Sequence, residues 1–376
     1  MNKSMLDIAI IGAGTAGALA ARQLNAAGYT CCIIEKSRGL GGRCSRRNVL
    51  DGFSVDLGAP SFAIPYHEHP NLIANINQWI SDGFLTEWIF DSADFQTQLP
   101  SMKRVELCGS PSMNAFQRHL ADGVERITQR LVKKLNRLDD HWQLLDDSGD
   151  LIVEAKAVIV TAPAEQTYNL VAPYELASSP EQTASSTVAD QHEHAKNPIL
   201  SASDASLPQY ICAITFDEPQ TQLSDVYTGE HPVFAKVVRA NSKPKLSNTD
   251  NDQTPEVWIL HSTHQWAQKQ NHKEAKSVAD EMAEAFCEHF NLATADATKT
   301  TAKVVTSHYW RLANHDHVEI KKSFAQYKPE HQPFLWNQEL QLGCCADWLS
   351  GGGISGALNS SQQLCDHITS QLKQEV

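Results

Sequence analysis

The segment GAGTAG, Gly12 to Gly17, is the first place in the sequence where residue types and spacing could do chemistry. It fits G-x-G-x-x-G, follows the apolar run 6–11, and opens a stretch, 15–27, with Ala and Leu at helical spacing. Glycines there permit a tight turn, let backbone N–H groups approach a pyrophosphate, and let helix and strand pack closely; the helix N-terminus adds partial positive charge. A second apolar run, 30–34, ends at Glu35, whose carboxylate would accept hydrogen bonds from ribose hydroxyls. The motif is weak in isolation. With strand, helix and acid in order around it, it predicts a dinucleotide site.

The next residues, EKSRGLGGRCSRR (35–47), combine that one acid with a glycine pair and four arginines. An acid at the end of the second strand repels a ribose 2′-phosphate, so the arginines are not there for one. Gly41-Gly42 can run close to a pyrophosphate, and Arg43 or Arg38 could neutralise it. Arg46 and Arg47 read more simply as surface charges.

The elements that position these residues follow from the apolar pattern. Strand, helix and strand over 6–34 form a β-α-β unit with parallel strands. Residues 141–163 read as a hairpin leading into an apolar strand over 157–161. Strand-like runs recur at 209–216, 233–239 and 256–263, and 273–290 reads as an amphipathic helix with Val278, Met282, Ala285, Phe286 and His289 on one face. The polar stretches 177–206 and 240–255 read as solvated surface insertions.

Bulk properties narrow the class. A chain of 376 residues favours two domains. A net charge of −13 argues against nucleic acid or an anionic membrane as the main partner, and leaves room for a local basic pocket. Nine cysteines, odd in number and without C-x-x-C, suggest buried reduced thiols in a cytoplasmic protein. The N-terminal apolar stretch is broken by glycines and reads as strand, loop and helix and not as a targeting segment; no run long enough to span a membrane is expected. Three His-x-His triplets (67–69, 192–194, 315–317) lack a third ligand of clear spacing, so no metal is expected. The sequence is silent on oligomeric state.

A family resemblance builds on the same residues. EKSRGLGGRCSRR followed by DLGAPSF (56–62) resembles the FAD-dependent amine-oxidase superfamily, and within it the renalase-like proteins. GSPSMNAFQRHLA (109–121), VKKLNRLDDHWQLL (132–145), AKAVIVTAP (155–163), VRANSKP (238–244), WILHST (258–263), HYWRLA (308–313) and CADWLSGGGISGALNSSQQL (345–364) are similar to further segments of that family. The resemblance implies an α/β fold: a Rossmann-like FAD-binding domain of the glutathione-reductase/amine-oxidase type, with a second substrate domain built on a mixed or antiparallel sheet. It implies a discontinuous FAD domain (1–70, 105–175, 335–376) and a substrate domain (71–104, 176–334).

It implies non-covalent FAD held by Gly12, Ala13, Gly14, Thr15, Ala16, Gly17, Glu35, Lys36, Arg38, Gly41, Gly42, Arg43, Gly58, Ala59, Pro60, Val132, Asp347, Gly353, Ile354 and Ser355. Val132 would contact adenine, Asp347 would act through water or Arg, and the helix starting near Ile354-Ser355 would favour negative charge on reduced flavin. Phe62, Trp258, His261, Trp310 and Trp348 are candidates to line the substrate side, Trp258 reading equally as a core residue on a strand; no catalytic acid or base is assigned. The chain departs from the family pattern at Ala346, where Gly is usual, and at Pro60-Ser61, where Gln-Tyr is usual. The implied activity is oxidation of a small substrate, an isomeric dihydro-NAD(P) in the renalase-like case, by hydride transfer to flavin N5, with dioxygen as acceptor and hydrogen peroxide as product. An amine oxidase and a non-catalytic FAD-binding redox sensor are the alternatives.

Overall fold

The computed structural model describes residues 5–50, 53–63, 69–99, 103–174, 176, 197–216, 218–244, 255–292, 302–327 and 332–372. Strand Leu6–Ile11 lies parallel between Cys31–Glu35 and Leu151–Val160. The sheet extends through Glu125–Thr128 on one side and through Leu342–Cys344 and Leu335–Asn337 on the other. The hairpin Lys134–Arg137/Trp142–Leu145 joins it at Leu151–Val160. All five residues of Cys31–Glu35 are buried, as expected of a parallel strand covered on both faces.

Helix Thr15–Ala26 follows the first strand directly. Its alanines let the C-terminal helix Gly353–Leu372 approach its backbone: the Ser361 hydroxyl donates to the Ala16 carbonyl at 2.9 Å. The two ends of the described chain therefore meet behind the glycine turn.

A second sheet runs Lys303–His315, Ser206–Thr215, Val257–Ser262, Phe234–Arg239, Val226–Thr228, Ser92–Asp94. It is antiparallel except for the parallel last pair, and so mixed. One face packs Trp258, Leu260 and Phe234 against Val278, Met282 and Phe286 of helix Ala275–His289. The opposite face carries Ile211, Val238 and Ile259 into the core shared with Ile8 and Ile10 of the first sheet. Strand alternation separates the two sets.

Three expectations need revision. On helix Ala275–His289 the buried stripe runs through Val278, Ala279, Met282, Ala283, Phe286 and Cys287, and Ala285 and His289 are half-buried at its edge. Residues 197–206 are not a solvated loop. Asn197 caps helix Pro198–Asp204, its side-chain oxygen accepting from Ile199 N at 2.9 Å, and Ile199 and Ala202 are buried. In the other polar stretch, Ala240 and Lys243 are buried. The remaining insertion residues, 177–196 and 245–254, lie outside the described residues.

Candidate functional site

A cavity of about 1340 Å³ runs between the two sheets. Its first wall is the glycine turn. Gly12 has φ +107°, and Gly17 sits where a Cβ would fall 2.0 Å from the Gly12 carbonyl, so both glycines are structural requirements of the turn. Gly14 differs: its φ is −77°, and a Cβ there would meet nothing within 4 Å. That open cradle of backbone, at the start of a helix, is the shape a pyrophosphate requires.

Glu35 is 8% exposed and lines the cavity. Its Oε2 accepts from Ala13 N at 2.9 Å and its Oε1 from Ser37 N at 2.8 Å. The carboxylate is thus fixed by the turn it serves, and its remaining lone pairs are what a ribose would use. Gly41 N donates to the Ala13 carbonyl at 2.8 Å, which ties the Gly41-Gly42 loop to the same turn. Gly58 packs so tightly that a Cβ would lie 1.9 Å from the Arg43 carbonyl, and Ala59 N donates to that carbonyl at 3.0 Å.

Arg43 is engaged by a carboxylate. Its Nη2 donates to Asp347 Oδ1 at 2.6 Å, and its Nη1 donates to Asp347 Oδ2 at 3.0 Å and to the Ala313 carbonyl at 2.9 Å. Burial pushes the Asp347 carboxyl up, but the Arg43 charge and hydrogen bonds outweigh this and leave it below its ordinary value. Arg43 and Asp347 both line the cavity as a locked pair.

The second sheet supplies the far wall. His308 registers with Ile211, Ile211 with His261, and His261 with Lys236, so four residues from four strands form one rung. All four line the cavity. His261 is 6% exposed and its Nε2 has no partner among the described residues. Burial first, then the Lys236 and Lys243 charges, push its pKa down to about 3, so it is neutral over the physiological range. Burial lowers Lys236 as well, opposed by Glu106, whose Oε2 lies 3.5 Å from Nζ. Ser61 Oγ donates to the same Glu106 oxygen. The hydroxyl that departs from the family pattern therefore supports the lysine's counter-ion.

Of the residues singled out from the sequence, Gly12, Ala13, Gly14, Thr15, Ala16, Glu35, Lys36, Arg38, Gly41, Gly42, Arg43, Gly58, Ala59, Pro60, Val132, Asp347, Gly353, Ile354, His261 and Trp310 line the cavity. Arg46 and Arg47, read as surface charges, border it too: Arg47 is exposed as that reading expects, and Arg46 is half-buried. Gly17 and Ser355 do not: Gly17 is packed against the turn, and the Ser355 hydroxyl donates to the Ala63 carbonyl. Three aromatics are core residues. Trp258 faces helix Ala275–His289, with its indole N–H on Glu256. Trp348 is 1% exposed and donates to the Ala162 carbonyl. Phe62 is 5% exposed and bridges to Leu107. Ala346 has φ −163°, an extended backbone that accepts its methyl. Residues 67–68 and 192–194 lie outside the described residues, and His315 is buried.

Lys236, Glu106 and His308 were missed. The legible signal was Lys236, a lysine in the middle of the apolar run FAKVV. Cys44 lines the cavity, but burial pushes its thiol up to about 12, which keeps it protonated and poorly nucleophilic.

Comparison with known proteins fits this geometry. The model of the NAD(P)-binding Rossmann-like domain family matches residues 10–79. The zeta-carotene-forming phytoene desaturase of Myxococcus xanthus is 43% identical over 58 residues, a match spanning 15% of this chain and 11% of the desaturase. Wild-type putrescine oxidase bound to putrescine superposes over 97% of this chain and 99% of its own, with a TM-score of 0.62 at 12% identity. The chain has the putrescine oxidase fold. An Exiguobacterium sp. 255-15 protein assigned as a protoporphyrinogen oxidase superposes over 98% of this chain and 99% of its own, with a TM-score of 0.60 at 12% identity. The Rossmann-like sheet with a second, mixed sheet is thus as expected. No helix among the described residues is long and apolar enough to cross a membrane.

Proposed function

We propose that this chain is an oxidoreductase that binds FAD non-covalently along the cavity and oxidises a small substrate. The observation that carries this reading is one continuous cavity with the glycine turn and Glu35 at one end and the His308–Ile211–His261–Lys236 rung at the other. Gly12–Ala16 and the helix N-terminus behind them would hold the pyrophosphate, Glu35 the ribose, and Val132 the adenine. The Arg43–Asp347 pair and the Gly353-Ile354 helix start bound the far half. When bound, FAD would supply a hydride acceptor at flavin N5, and the electron pair would go on to dioxygen as hydrogen peroxide.

The chain's own part is binding and orientation. His261 offers an uncharged imidazole, Lys236 an ammonium held by Glu106, and Ile211 and Pro60 exclude water. The substrate in this reading is an isomeric dihydro-NAD(P), returned as NAD(P)⁺. The same reading divides the chain into an FAD domain (1–70, 105–175, 335–376) and a substrate domain (71–104, 176–334). The first sheet draws its strands from the former and the second sheet from the latter. Nine free, buried cysteines support a reducing, cytoplasmic setting.

The test is air-free mixing of the flavin-loaded protein with a borohydride-derived mixture of dihydro-NAD isomers. Rapid bleaching of the flavin bands by the minor isomers, and slow bleaching by ordinary NADH, is the expected result. Bands that stay unchanged overturn this substrate.

A further inference from the structure

The charge on the cavity wall is opposite to that of the molecule. The chain carries −13 overall, yet the cavity is lined by nine Lys or Arg and three carboxylates. Each carboxylate is already engaged: Glu35 by two backbone N–H groups, Asp347 by Arg43, and Glu165 by Arg311. Among the cations, Arg43, Arg130, Lys236 and Arg311 have acidic partners. Lys36, Arg38, Arg46, Arg47 and Lys133 have none among the described residues, and of these Arg46 and Arg47 lie toward the second sheet.

Arg46 and Arg47 open strand Arg46–Leu50, which packs against strand Lys303–His315, the strand that carries His308. Arg47 and His308 are both exposed and line the same cavity from these two packed strands, and partial desolvation, then the Arg47 charge, hold the His308 imidazole below its ordinary value. Next to it, Trp310 lines the cavity with a buried indole N–H that has no partner among the described residues. Its ring stands edge-on to His308, with centroids 5.1 Å apart. An exposed arginine with no acidic partner and an N–H donor with no partner, both among the described residues, thus line the cavity near His308, and the rung itself presents no carboxylate.

The geometry points to an anionic substrate, bound with its phosphate or carboxylate on Arg47 and the Trp310 N–H while its oxidisable part lies along His308, Ile211 and His261. This deepens the reading given under Proposed function and rests on it. It also separates this chain from a protein that binds putrescine, a dication, since a cation here would face Arg47 with no counter-charge. Arg47 is thereby a specificity-determining residue.

The test uses flavin-loaded wild type, Arg47→Ala and Arg47→Lys, each titrated by calorimetry with oxidised NAD, with succinate and with putrescine. Flavin absorbance is recorded before and after each titration. NAD supplies a pyrophosphate and succinate two carboxylates, so the pair distinguishes the sources of the anion. Wild type is expected to bind at least one anion and to bind putrescine more weakly. Arg47→Ala is expected to weaken the anion about tenfold, Arg47→Lys to recover part of that loss, and added salt to weaken binding in wild type most. Equal anion affinity in wild type and Arg47→Ala, no anion binding at all, or tighter binding of putrescine, each with flavin retained, overturns the inference and leaves the cofactor reading intact. A chain that takes up no flavin overturns both.

Discussion

Gly14 and Gly17 lie three residues apart in one motif and answer to different demands. Gly17 has no room for a Cβ, whereas Gly14 has ordinary backbone dihedrals and open space in front of it. Gly14→Val is therefore expected to fold with nearly wild-type thermal stability and to lose FAD. Gly17→Val is expected to lose several degrees of Tm whether or not FAD is present. Equal effects on stability would contradict the assignment of Gly14 to the cofactor. Glu35→Gln replaces an acceptor of two backbone N–H bonds with a group that can accept only at its one oxygen. About 1–3 kcal/mol of stability and roughly tenfold in FAD affinity should be lost, measurable by urea unfolding and by flavin fluorescence titration. An unchanged affinity would remove Glu35 from the ribose site.

The residue scale also shows where a sequence reading stops. GAGTAG and Glu35 were legible because their neighbours in sequence are their neighbours in space. Trp258 and His261 were both candidates for the substrate side, Trp258 with a core reading beside it; they are three apart on one strand and so point to opposite faces. Alternation could have excluded one of them; which one depended on the side that helix Ala275–His289 covers. Arg46 and Arg47 were read as surface charges, and Arg47 is exposed, but nothing local reveals that strand Lys303–His315 packs against their strand.

At the scale of elements, two buried charges join segments far apart in the chain. Asp56 ends strand Phe53–Asp56, and its Oδ2 lies 2.8 Å from Lys243 Nζ. Its Oδ1 accepts from Met113 N, the first residue of helix Met113–Leu120, where a carboxylate also suits the helix dipole. Lys243 therefore fastens the residues after strand Phe234–Arg239 to the base of the cofactor-side elements. Lys243→Ala leaves Asp56 buried without its cation and should cost about 3–5 kcal/mol in urea unfolding, while Asp56→Asn combined with Lys243→Met should cost less than the single change. A loss under about 1 kcal/mol for Lys243→Ala would show that the pair does not fasten the elements. Of these elements, strand Phe234–Arg239 was readable from its apolar run, whereas Phe53–Asp56 was too short to stand out. The tie was not readable, because a lysine in a polar, proline-containing stretch looks solvated until its partner 187 residues away is known.

At the scale of the molecule, buried histidines make stability depend on pH. Burial holds His261 at about 3 and His315 at about 4, against 6.5 for an unperturbed imidazole. Between pH 6.5 and about 4 the unfolded chain takes up protons that the folded chain refuses. Stability is thus fully present above pH 6.5 and falls as pH is lowered, on the order of 1 kcal/mol per pH unit for each histidine. Urea midpoints at pH 7 and pH 5 should differ accordingly, and His261→Asn should flatten the dependence; an unchanged slope would contradict the placement of His261 in the cavity wall.

The proposed function depends on one cavity that residues of both sheets line. The most direct measurement is the visible absorption spectrum of the purified chain, after incubation with FAD and removal of unbound cofactor, and again after denaturation. Flavin bands that stay with the folded protein and leave with the small-molecule fraction on unfolding are the predicted result. A folded chain that retains no flavin would contradict the account at its centre.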